Sequence, residues 1–295
     1  MTREHAYLSG LVGTGVTPSL TPLLHMAEGR AQGLQYVYRP IDLTALELDP
    51  QDLRQVLNWA EMLGFDALNI THPCKRDVIQ FLDDVDPVAK ALGAVNTVLL
   101  TAEGRIGYNT DTTGFERAFR TGLSGAAIDH VVMLGAGGAG SAVGDALLRI
   151  GVAHLTIIDL DRERADDVAV SLAGRHAATV HSGGFDDLEV ALSSSEGIVQ
   201  CTPIGMHHHP GTPFDVAMLR PEHWVADIVY RPLETELLRA ARAKGCRTMH
   251  GGLMAVAQAA DTFQLVTGRD PDLKRMQAHF QSLVDGDEVN PERYQ

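Results

Sequence analysis

A glycine-rich segment near the middle of the chain has residue types and a spacing suited to binding phosphate. Residues 135–140 read Gly-Ala-Gly-Gly-Ala-Gly, directly after the apolar run 131–134 and at the start of a segment with helical periodicity. Glycines in this arrangement allow a tight turn and close approach of the backbone to a pyrophosphate, whose charge is met by the helix N-terminus. We therefore predict dinucleotide contacts from Gly135, Gly137, Gly138, Ala139 and Gly140.

An acidic residue ends the next apolar run, 155–158, at the distance expected for ribose recognition. Asp159 stands about 20 residues after Gly140. A carboxylate there accepts hydrogen bonds from the ribose hydroxyls of NAD, and it repels the 2′-phosphate of NADP. Asp161 adds to that repulsion, whereas Arg164 is close enough in sequence to turn toward a phosphate. We predict NAD rather than NADP as the cofactor, with Asp159 and Arg164 among its contacts.

The second half of the chain predicts a doubly wound unit. From about residue 129 onward, short apolar runs alternate with helical patterns, which is typical of a parallel sheet covered by helices. The predicted strands are 131–134, 155–158, 198–201, 224–229 and 247–249. A helix over 236–244 ends at Gly245. The fold class is therefore α/β, with a Rossmann-type dinucleotide-binding domain.

The first 110 residues predict a second, mixed α/β domain that has no glycine-rich phosphate loop. The patterns indicate a helix from Asp49 to Gly64, a strand at 65–70 and a hairpin that pairs 96–100 with 105–108. A helix at 253–267 has no strand after it, so we expect it to pack back on this first domain. The predicted ranges are 1–113 with 254–295 for a discontinuous substrate-binding domain, and 114–253 for the NAD-binding domain.

Five polar segments outside the glycine motif, taken in their order, resemble those of the shikimate and quinate/shikimate dehydrogenase family. The resemblance covers nearly the whole chain. The segments are Gly15-Val-Thr-Pro-Ser-Leu-Thr-Pro-Leu-Leu-His25, Asn69-Ile-Thr-His-Pro-Cys-Lys75, Gly93-Ala-Val-Asn-Thr97, Gly107-Tyr-Asn-Thr-Asp-Thr-Thr-Gly114 and Met254-Ala-Val-Ala-Gln-Ala259.

The neutral polar residues of these segments suit a small polyhydroxylated ring and its carboxylate. Any one of them alone is equally a turn, cap or helix-surface residue. The resemblance implies that they bind substrate together, and that a tyrosine at a later strand end joins them. The predicted substrate-binding residues are Ser19, Thr21, Thr71, Asn96, Tyr230 and Gln258.

Lys75 and Asp111 are the predicted catalytic residues. The resemblance implies that this lysine and this aspartate lie beside the hydroxyl that is oxidised. An alcohol that loses hydride also releases a proton, and a lysine partly buried in a cleft gives up its own proton more readily than an exposed one. The alternative for this pair is a salt bridge between two loops.

The resemblance extends to the nicotinamide side of the cofactor site. It implies contacts from Thr202, Gly205, Met206, Val229, Gly251 and Met254. The sequence departs from the family pattern at two positions there. Gln200 stands where asparagine is usual, and His250 stands where aspartate is usual.

The composition disfavours several other functions. The 295 residues carry a net charge of −14, from 24 Lys and Arg against 38 Asp and Glu, which gives no net attraction to nucleic acid or an anionic bilayer. No apolar run approaches the ~20 residues of a membrane span. The three cysteines are widely spaced, and the run His207–His209 precedes Pro-Gly without further ligands, so we predict no metal. We expect a cytoplasmic monomer or homodimer.

These observations predict an NAD-dependent dehydrogenase acting on the C3 hydroxyl of quinate, shikimate or both. Its partner would be that small hydroxy acid. The first alternative is an NADP-dependent biosynthetic shikimate dehydrogenase. The second is a non-catalytic module that senses dinucleotides.

Overall fold

The strands of residues 6–289, the part of the chain that the computed structural model describes, form two six-stranded sheets. Elements are numbered in chain order. Those before residue 111 are β1 (Ala6–Gly13), α1 (Thr21–Ala31), β2 (Gln35–Asp42), α2 (Leu53–Met62), β3 (Ala67–Ile70), β4 (Asp84–Val85), α3 (Pro87–Leu92), β5 (Thr97–Thr101) and β6 (Gly104–Tyr108).

The remaining elements alternate between helix and strand through most of their length. They are α4 (Asp111–Gly122), β7 (His130–Leu134), α5 (Gly138–Arg149), β8 (His154–Ile158), α6 (Arg162–Ala173), β9 (Thr179–Gly183), α7 (Leu188–Ser193), β10 (Gly197–Gln200), β11 (Trp224–Asp227), α8 (Glu236–Ala243), β12 (Arg247–His250), α9 (Gly252–Thr267) and α10 (Leu273–Val289).

Contacts divide the chain into two units. The first unit runs to Thr110 and resumes at Gln258, and the second runs from Asp111 to Ala257. The sequence-based ranges instead put residues 111–113 and 254–257 in the first unit. The structure shows why they belong to the second unit: Thr112 donates a hydrogen bond to the carbonyl oxygen of Ala142, and Met254 packs in the core cluster of α5 and β7.

The first unit has a mixed sheet in the order β2-β1-β3-β5-β6-β4. Strand β1 runs parallel to β2 and β3, whereas β5 runs antiparallel to β3 and β6. The predicted hairpin is therefore present as β5 and β6. The end of α9 joins this unit because Phe263 packs with Leu11, Tyr36 and Tyr38 in one apolar cluster.

The second unit has a fully parallel sheet in the order β12-β11-β10-β7-β8-β9. Val131 and Met133 of β7 pack in one core cluster, and Val132 and Leu134 pack in another. Both faces of the sheet are thus covered, as the continuous apolar runs predict. The strand order reverses between β7 and β10, and ligands of such folds bind where the order reverses, at the carboxyl ends of the strands.

The strand predictions for the second unit need two corrections. The predicted strand at 224–229 ends at Asp227, because the Asp227 carboxylate accepts a hydrogen bond from the amide of Val229 and turns the chain. Strand β9 was not predicted. It lies at the edge of the sheet and its residues are largely exposed or half-buried, so it has no continuous apolar run.

Candidate functional site

The predicted site residues fall in both units. Those in the first unit are Ser19, Thr21, Thr71, Lys75, Asn96 and Gln258. Those in the second unit are Asp111, Gly135, Gly137, Gly138, Ala139, Gly140, Asp159, Arg164, Thr202, Gly205, Met206, Val229, Tyr230, Gly251 and Met254.

The glycine loop, residues 135–140, joins β7 to α5 at the point where the strand order reverses. Gly135 has φ of 97°, and a Cβ on it would lie 3.0 Å from the carbonyl group of Cys201. A Cβ on Gly140 would overlap the carbonyl oxygen of Gly135. These two glycines are therefore required by the packing of the loop itself.

Gly137 differs from its neighbours because the space beside it is open. It is the N-cap of α5, no side chain caps this helix start, and a Cβ on Gly137 would meet no atom within 4 Å. The first backbone N–H groups of a helix have no partner inside the helix. The loop thus offers amide donors and room for a close ligand, and both features fit a pyrophosphate.

Asp159 directly follows β8 and holds the glycine loop through hydrogen bonds. Its carboxylate accepts hydrogen bonds from the amide of Ala136 at 2.7 Å and the amide of Asp161 at 2.9 Å. Arg164 pairs with Asp161 at 3.0 Å, and its guanidinium lies 3.9 Å from Asp159. The cation nearest this carboxylate is therefore already engaged by acidic side chains.

Gln200 ends β10 and organises the turn that follows it. Its side chain is fully buried. Its Nε2 donates to the Thr202 hydroxyl and to the Ile204 carbonyl oxygen at 2.8 Å each, and its Oε1 accepts from the Thr202 amide at 3.0 Å. The departure from the family pattern at this position thus provides the side chain that braces residues 202–204.

Asp227 ends β11 and fastens the segment that carries Val229 and Tyr230. Its fully buried carboxylate accepts hydrogen bonds from the Thr235 hydroxyl at 2.8 Å and the Val229 amide at 3.0 Å. Burial raises the pKa of this carboxyl group to about 6, although both hydrogen bonds act in the opposite direction. Tyr230 is half-buried.

The remaining predicted cofactor residues lie near the ends of β11 and β12. A Cβ on Gly251 would overlap the carbonyl oxygen of Ile228, so a glycine is required here by the close approach of two backbone segments. Met254 is buried in the core, whereas Met206 is exposed. His250, the second departure, has a buried Nδ1 without a hydrogen-bond partner in residues 6–289, and burial lowers its pKa.

In the first unit, Ser19 and Thr21 lie at the start of α1. The Ser19 hydroxyl oxygen accepts a hydrogen bond from the Thr21 amide at 3.3 Å. Both residues are half-buried, so their hydroxyl groups remain partly accessible. A carboxylate at the end of β2, Asp42, holds the loop that leads to them.

Backbone hydrogen bonds bring the segments of Thr71, Lys75 and Asn96 together. The amide of Val95 donates to the carbonyl oxygen of Lys75, and the amide of Ile70 donates to that of Asn96, each at 2.8 Å. Lys75 is half-buried. Three predicted site residues, separated by up to 25 positions in sequence (96 minus 71), are therefore held at one edge of this unit.

A buried polar network lies behind these residues. The Asn96 Oδ1 accepts hydrogen bonds from the Thr110 amide at 2.9 Å and the Thr97 hydroxyl at 3.0 Å. The Thr110 hydroxyl contacts the Gln258 side chain at 3.4 Å. Asn96 and Gln258 thus both contact Thr110. This buried threonine, which is not itself a predicted site residue, helps to position two predicted substrate residues.

The network continues through side chains that the sequence analysis did not select. Tyr38 donates a hydrogen bond to the Asn69 Oδ1 at 2.6 Å, and the Asn69 amide donates to the Thr97 hydroxyl at 2.9 Å. Asn69 belongs to a recognised segment, but Tyr38 carried no signal because a tyrosine in an apolar strand is ordinary core. Asp42 and Asp227 carried the signal that identified Asp159, namely an acidic residue at a strand end.

Three other observations concern groups outside the polar network. Cys74 is fully buried and burial raises its pKa to about 11, which fits a packing thiol. In the part of the chain that the structure describes, His, Cys, Asp and Glu side chains form no cluster of three that could hold a metal ion. Of the helices within residues 6–289, none has the length and apolar character to cross a membrane.

One family model matches a large part of the first unit. A family model described as the shikimate dehydrogenase substrate binding domain matches residues 11–98. That range contains Ser19, Thr21, Thr71, Lys75 and Asn96.

Whole-chain relatives divide between two cofactors. The chain is 54% identical to the shikimate dehydrogenase (NADP(+)) of Pseudarthrobacter chlorophenolicus, over 97% of this chain and 98% of that one. It is 49% identical to the quinate/shikimate dehydrogenase (NAD(+)) of Corynebacterium glutamicum, over 94% and 98%. Among solved structures, quinate dehydrogenase from Corynebacterium glutamicum in complex with NAD superposes with a TM-score of 0.87 at 47% identity, covering 94% of this chain and 99% of that one. These matches confirm both the resemblance and the predicted fold class.

Proposed function

The chain belongs to the shikimate and quinate/shikimate dehydrogenase family, and from that premise we propose that it transfers hydride between NAD and the C3 hydroxyl of quinate, shikimate or both. As a member of this family it is a pyridine-nucleotide oxidoreductase. The products of oxidation would be the corresponding 3-dehydro acids. The observation that carries the choice of NAD is the carboxylate of Asp159 at the glycine loop.

The residues around the glycine loop fit a dinucleotide. Gly137 leaves open space beside the uncapped start of α5, where amides and the helix dipole favour a pyrophosphate. Gly135, Gly138, Ala139 and Gly140 would complete that contact. Bound NAD supplies a nicotinamide ring that accepts the hydride. Thr202, Gly205, Met206, Val229, Gly251 and Met254 are proposed to line its side of the site.

Electrostatics around Asp159 favour NAD. A ribose hydroxyl can donate a hydrogen bond to this carboxylate, whereas a 2′-phosphate would meet the negative charges of Asp159 and Asp161. Arg164 is paired with Asp161 at 3.0 Å and is not available to the phosphate without breaking that pair. An NADP-dependent shikimate dehydrogenase is the competing candidate, because the relative at 54% identity carries that name.

The proposed reaction needs a group that accepts one proton during oxidation and donates it during reduction. As the C3 carbon loses hydride and its C–O bond becomes a carbonyl, the hydroxyl proton passes to the neutral amine of Lys75. In the reductive direction the Lys75 ammonium returns that proton to the oxygen. Asp111 would accept a hydrogen bond from the substrate hydroxyl or the ammonium and orient both. No covalent intermediate is required, which agrees with a buried Cys74.

The substrate ring would be bound by neutral hydroxyl and amide groups. Ser19 and Thr21 would contact its carboxylate end, and Thr71, Asn96, Tyr230 and Gln258 its hydroxyls.

A matrix of two substrates and two cofactors at fixed pH tests the proposal. We expect kcat/KM to be higher with NAD than with NADP for quinate, shikimate or both, because the 2′-phosphate of NADP would meet two carboxylates that share one arginine. A clear preference for NADP would instead support the biosynthetic alternative. No turnover with any combination, together with retained NADH binding, would support a dinucleotide-sensing module.

A further inference from the structure

Asp42 occupies the carboxyl end of β2, at the edge strand of the mixed sheet, and faces the loop that precedes α1. Its side chain is buried, with 7% exposure. No residue near it in sequence belongs to the predicted site. The site loop that it faces, residues 14–20, connects β1 to α1 and contains Ser19.

Both oxygens of the Asp42 carboxylate are used to hold this region. Oδ1 accepts hydrogen bonds from the amides of Gly15 at 2.9 Å and Thr44 at 3.1 Å. Oδ2 accepts from the amide of Thr17 at 2.9 Å and from its hydroxyl at 2.8 Å. Burial alone would raise the pKa of this carboxyl group, but these hydrogen bonds hold it below its ordinary value.

The site loop is packed at two buried apolar residues, and this carboxylate holds its exposed residues. Thr14, Gly15 and Thr17 are exposed, and Gly15 adopts a left-handed conformation with φ of 63° and no neighbouring atom around its would-be Cβ. The amides of Gly15 and Thr17 both point at Asp42. A charged acceptor forms stronger hydrogen bonds to backbone amides than a neutral one.

The loop also touches the segment of the proposed catalytic lysine. The amide of Thr14 donates to the carbonyl oxygen of His72 at 3.1 Å, and a Cβ on Gly13 would overlap the Thr71 side chain. A loop released from Asp42 would therefore move against Thr71 as well as carry Ser19 out of place.

We infer that Asp42 is a positioning residue that presents the Ser19 and Thr21 hydroxyls to the carboxylate end of the substrate ring. The inference rests on the proposed function for the identity of that substrate. The carboxylate end is remote from the reacting C3 carbon, so its misplacement acts mainly on substrate binding. Cofactor binding belongs to the other unit and stays unchanged.

Two pairs of variants test the inference in the full-length protein. Asp42→Asn removes the charge and places an amide against the Gly15 and Thr17 donors. The matched control is Asp66→Asn, which changes a carboxylate that accepts a hydrogen bond from the amide of Leu8 at 2.7 Å, near the opposite end of β1. The second pair changes the Thr17 hydroxyl, which donates a hydrogen bond to Asp42. Thr17→Val removes this hydroxyl, whereas Thr17→Ser retains it.

We expect Asp42→Asn to raise the KM for quinate or shikimate at least tenfold, with kcat changed less than KM and the NADH dissociation constant within twofold of wild type. Thr17→Val should raise that KM several-fold, whereas Thr17→Ser and Asp66→Asn should leave it near the wild-type value. An unchanged substrate KM in folded Asp42→Asn would overturn the inference. If that variant does not fold, equal KM values for Thr17→Val and Thr17→Ser would overturn it.

The same variants separate this inference from the proposed function. Wild-type turnover with equal KM in all variants rejects the role of Asp42 alone. If the wild type binds quinate or shikimate in calorimetry without turning it over, the proposed reaction fails, and weaker binding by Asp42→Asn and Thr17→Val still supports the role. A wild-type protein that neither binds nor turns over either acid rejects both.

Discussion

At the scale of single residues, carboxylates at strand ends accept hydrogen bonds that fix the conformation of several loops. Asp42 and Asp227 are the last residues of their strands and Asp159 directly follows its strand, and each accepts hydrogen bonds from backbone amides of the adjoining loops. A buried carboxylate is costly unless several donors compensate it, so each of these residues fixes the conformation of the loop it accepts from. All three loops carry predicted site residues.

Lys75 carries the first prediction at this scale. Lys75→Ala should lower kcat at least ~100-fold, because loss of a general acid-base group typically costs that much. The NADH dissociation constant should stay near wild type, since Lys75 and the glycine loop lie in different units. Steady-state kinetics and a binding titration measure both quantities.

Lys90→Ala is the matched control, because Lys90 is an exposed lysine on α3 of the same unit. It should turn over substrate like the wild type. Near-normal kcat in Lys75→Ala would remove Lys75 from the proposed mechanism and leave the proton without an assigned acceptor.

At the scale of elements, the start of α5 separates glycines that the packing of the loop requires from one that we propose serves binding. A Cβ on Gly140 would overlap a carbonyl oxygen of the same loop, whereas a Cβ on Gly137 would meet no atom within 4 Å. The backbone of Gly137 is extended, with φ of −74°, so other residues can adopt it without strain.

Gly137→Val should therefore weaken NADH binding at least tenfold while changing the free energy of unfolding by less than about 1 kcal/mol, the usual range for an N-cap substitution. The added side chain occupies the space proposed for the pyrophosphate. Fluorescence titration with NADH and chemical unfolding measure the two effects.

Gly140→Ala provides the contrast within the same loop. It should lower the free energy of unfolding by several kcal/mol because the backbone must shift to admit the Cβ. Tight NADH binding by Gly137→Val, or an unaltered stability of Gly140→Ala, would contradict this division of roles.

At the scale of the whole molecule, one buried group in each unit should contribute to stability with an opposite response to acid. Burial lowers the pKa of His25 in the first unit from 6.5 to about 3, so its contribution is present above pH 6.5 and is lost as the pH falls. Burial raises the pKa of Asp227 in the second unit from 3.8 to about 6, so its contribution is present at low pH and is lost as the pH rises through 6.

Between pH 7 and pH 5 we expect the first unit to lose about 2 kcal/mol through His25 and the second to gain about 1 kcal/mol through Asp227. Hydrogen exchange, corrected for the intrinsic effect of pH and resolved by peptide, measures both units in one sample. His25→Phe should remove the loss, and Asp227→Asn should remove the gain. A pH dependence that is the same in the wild type and in either variant would contradict the prediction.

Sequence alone determined the fold class and the family. The apolar runs and the glycine spacing depend on local rules, because parallel strands and tight turns restrict which residues fit them. The ordered polar segments identified the family through Lys75, Asp111 and their neighbours. Each of these signals lies within a stretch of a few residues, which is why it is readable without coordinates.

Tertiary structure alone decided which side chains hold those segments in place. Asp42 reaches Gly15 and Thr17, 27 and 25 positions away, and Asn69 reaches Thr262 across 193 positions. Gln200 was visible as a departure from a pattern, but its four hydrogen bonds to residues 202–204 depend on the turn they stabilise. Such partners are chosen by the packing of distant elements, and no local spacing encodes that choice.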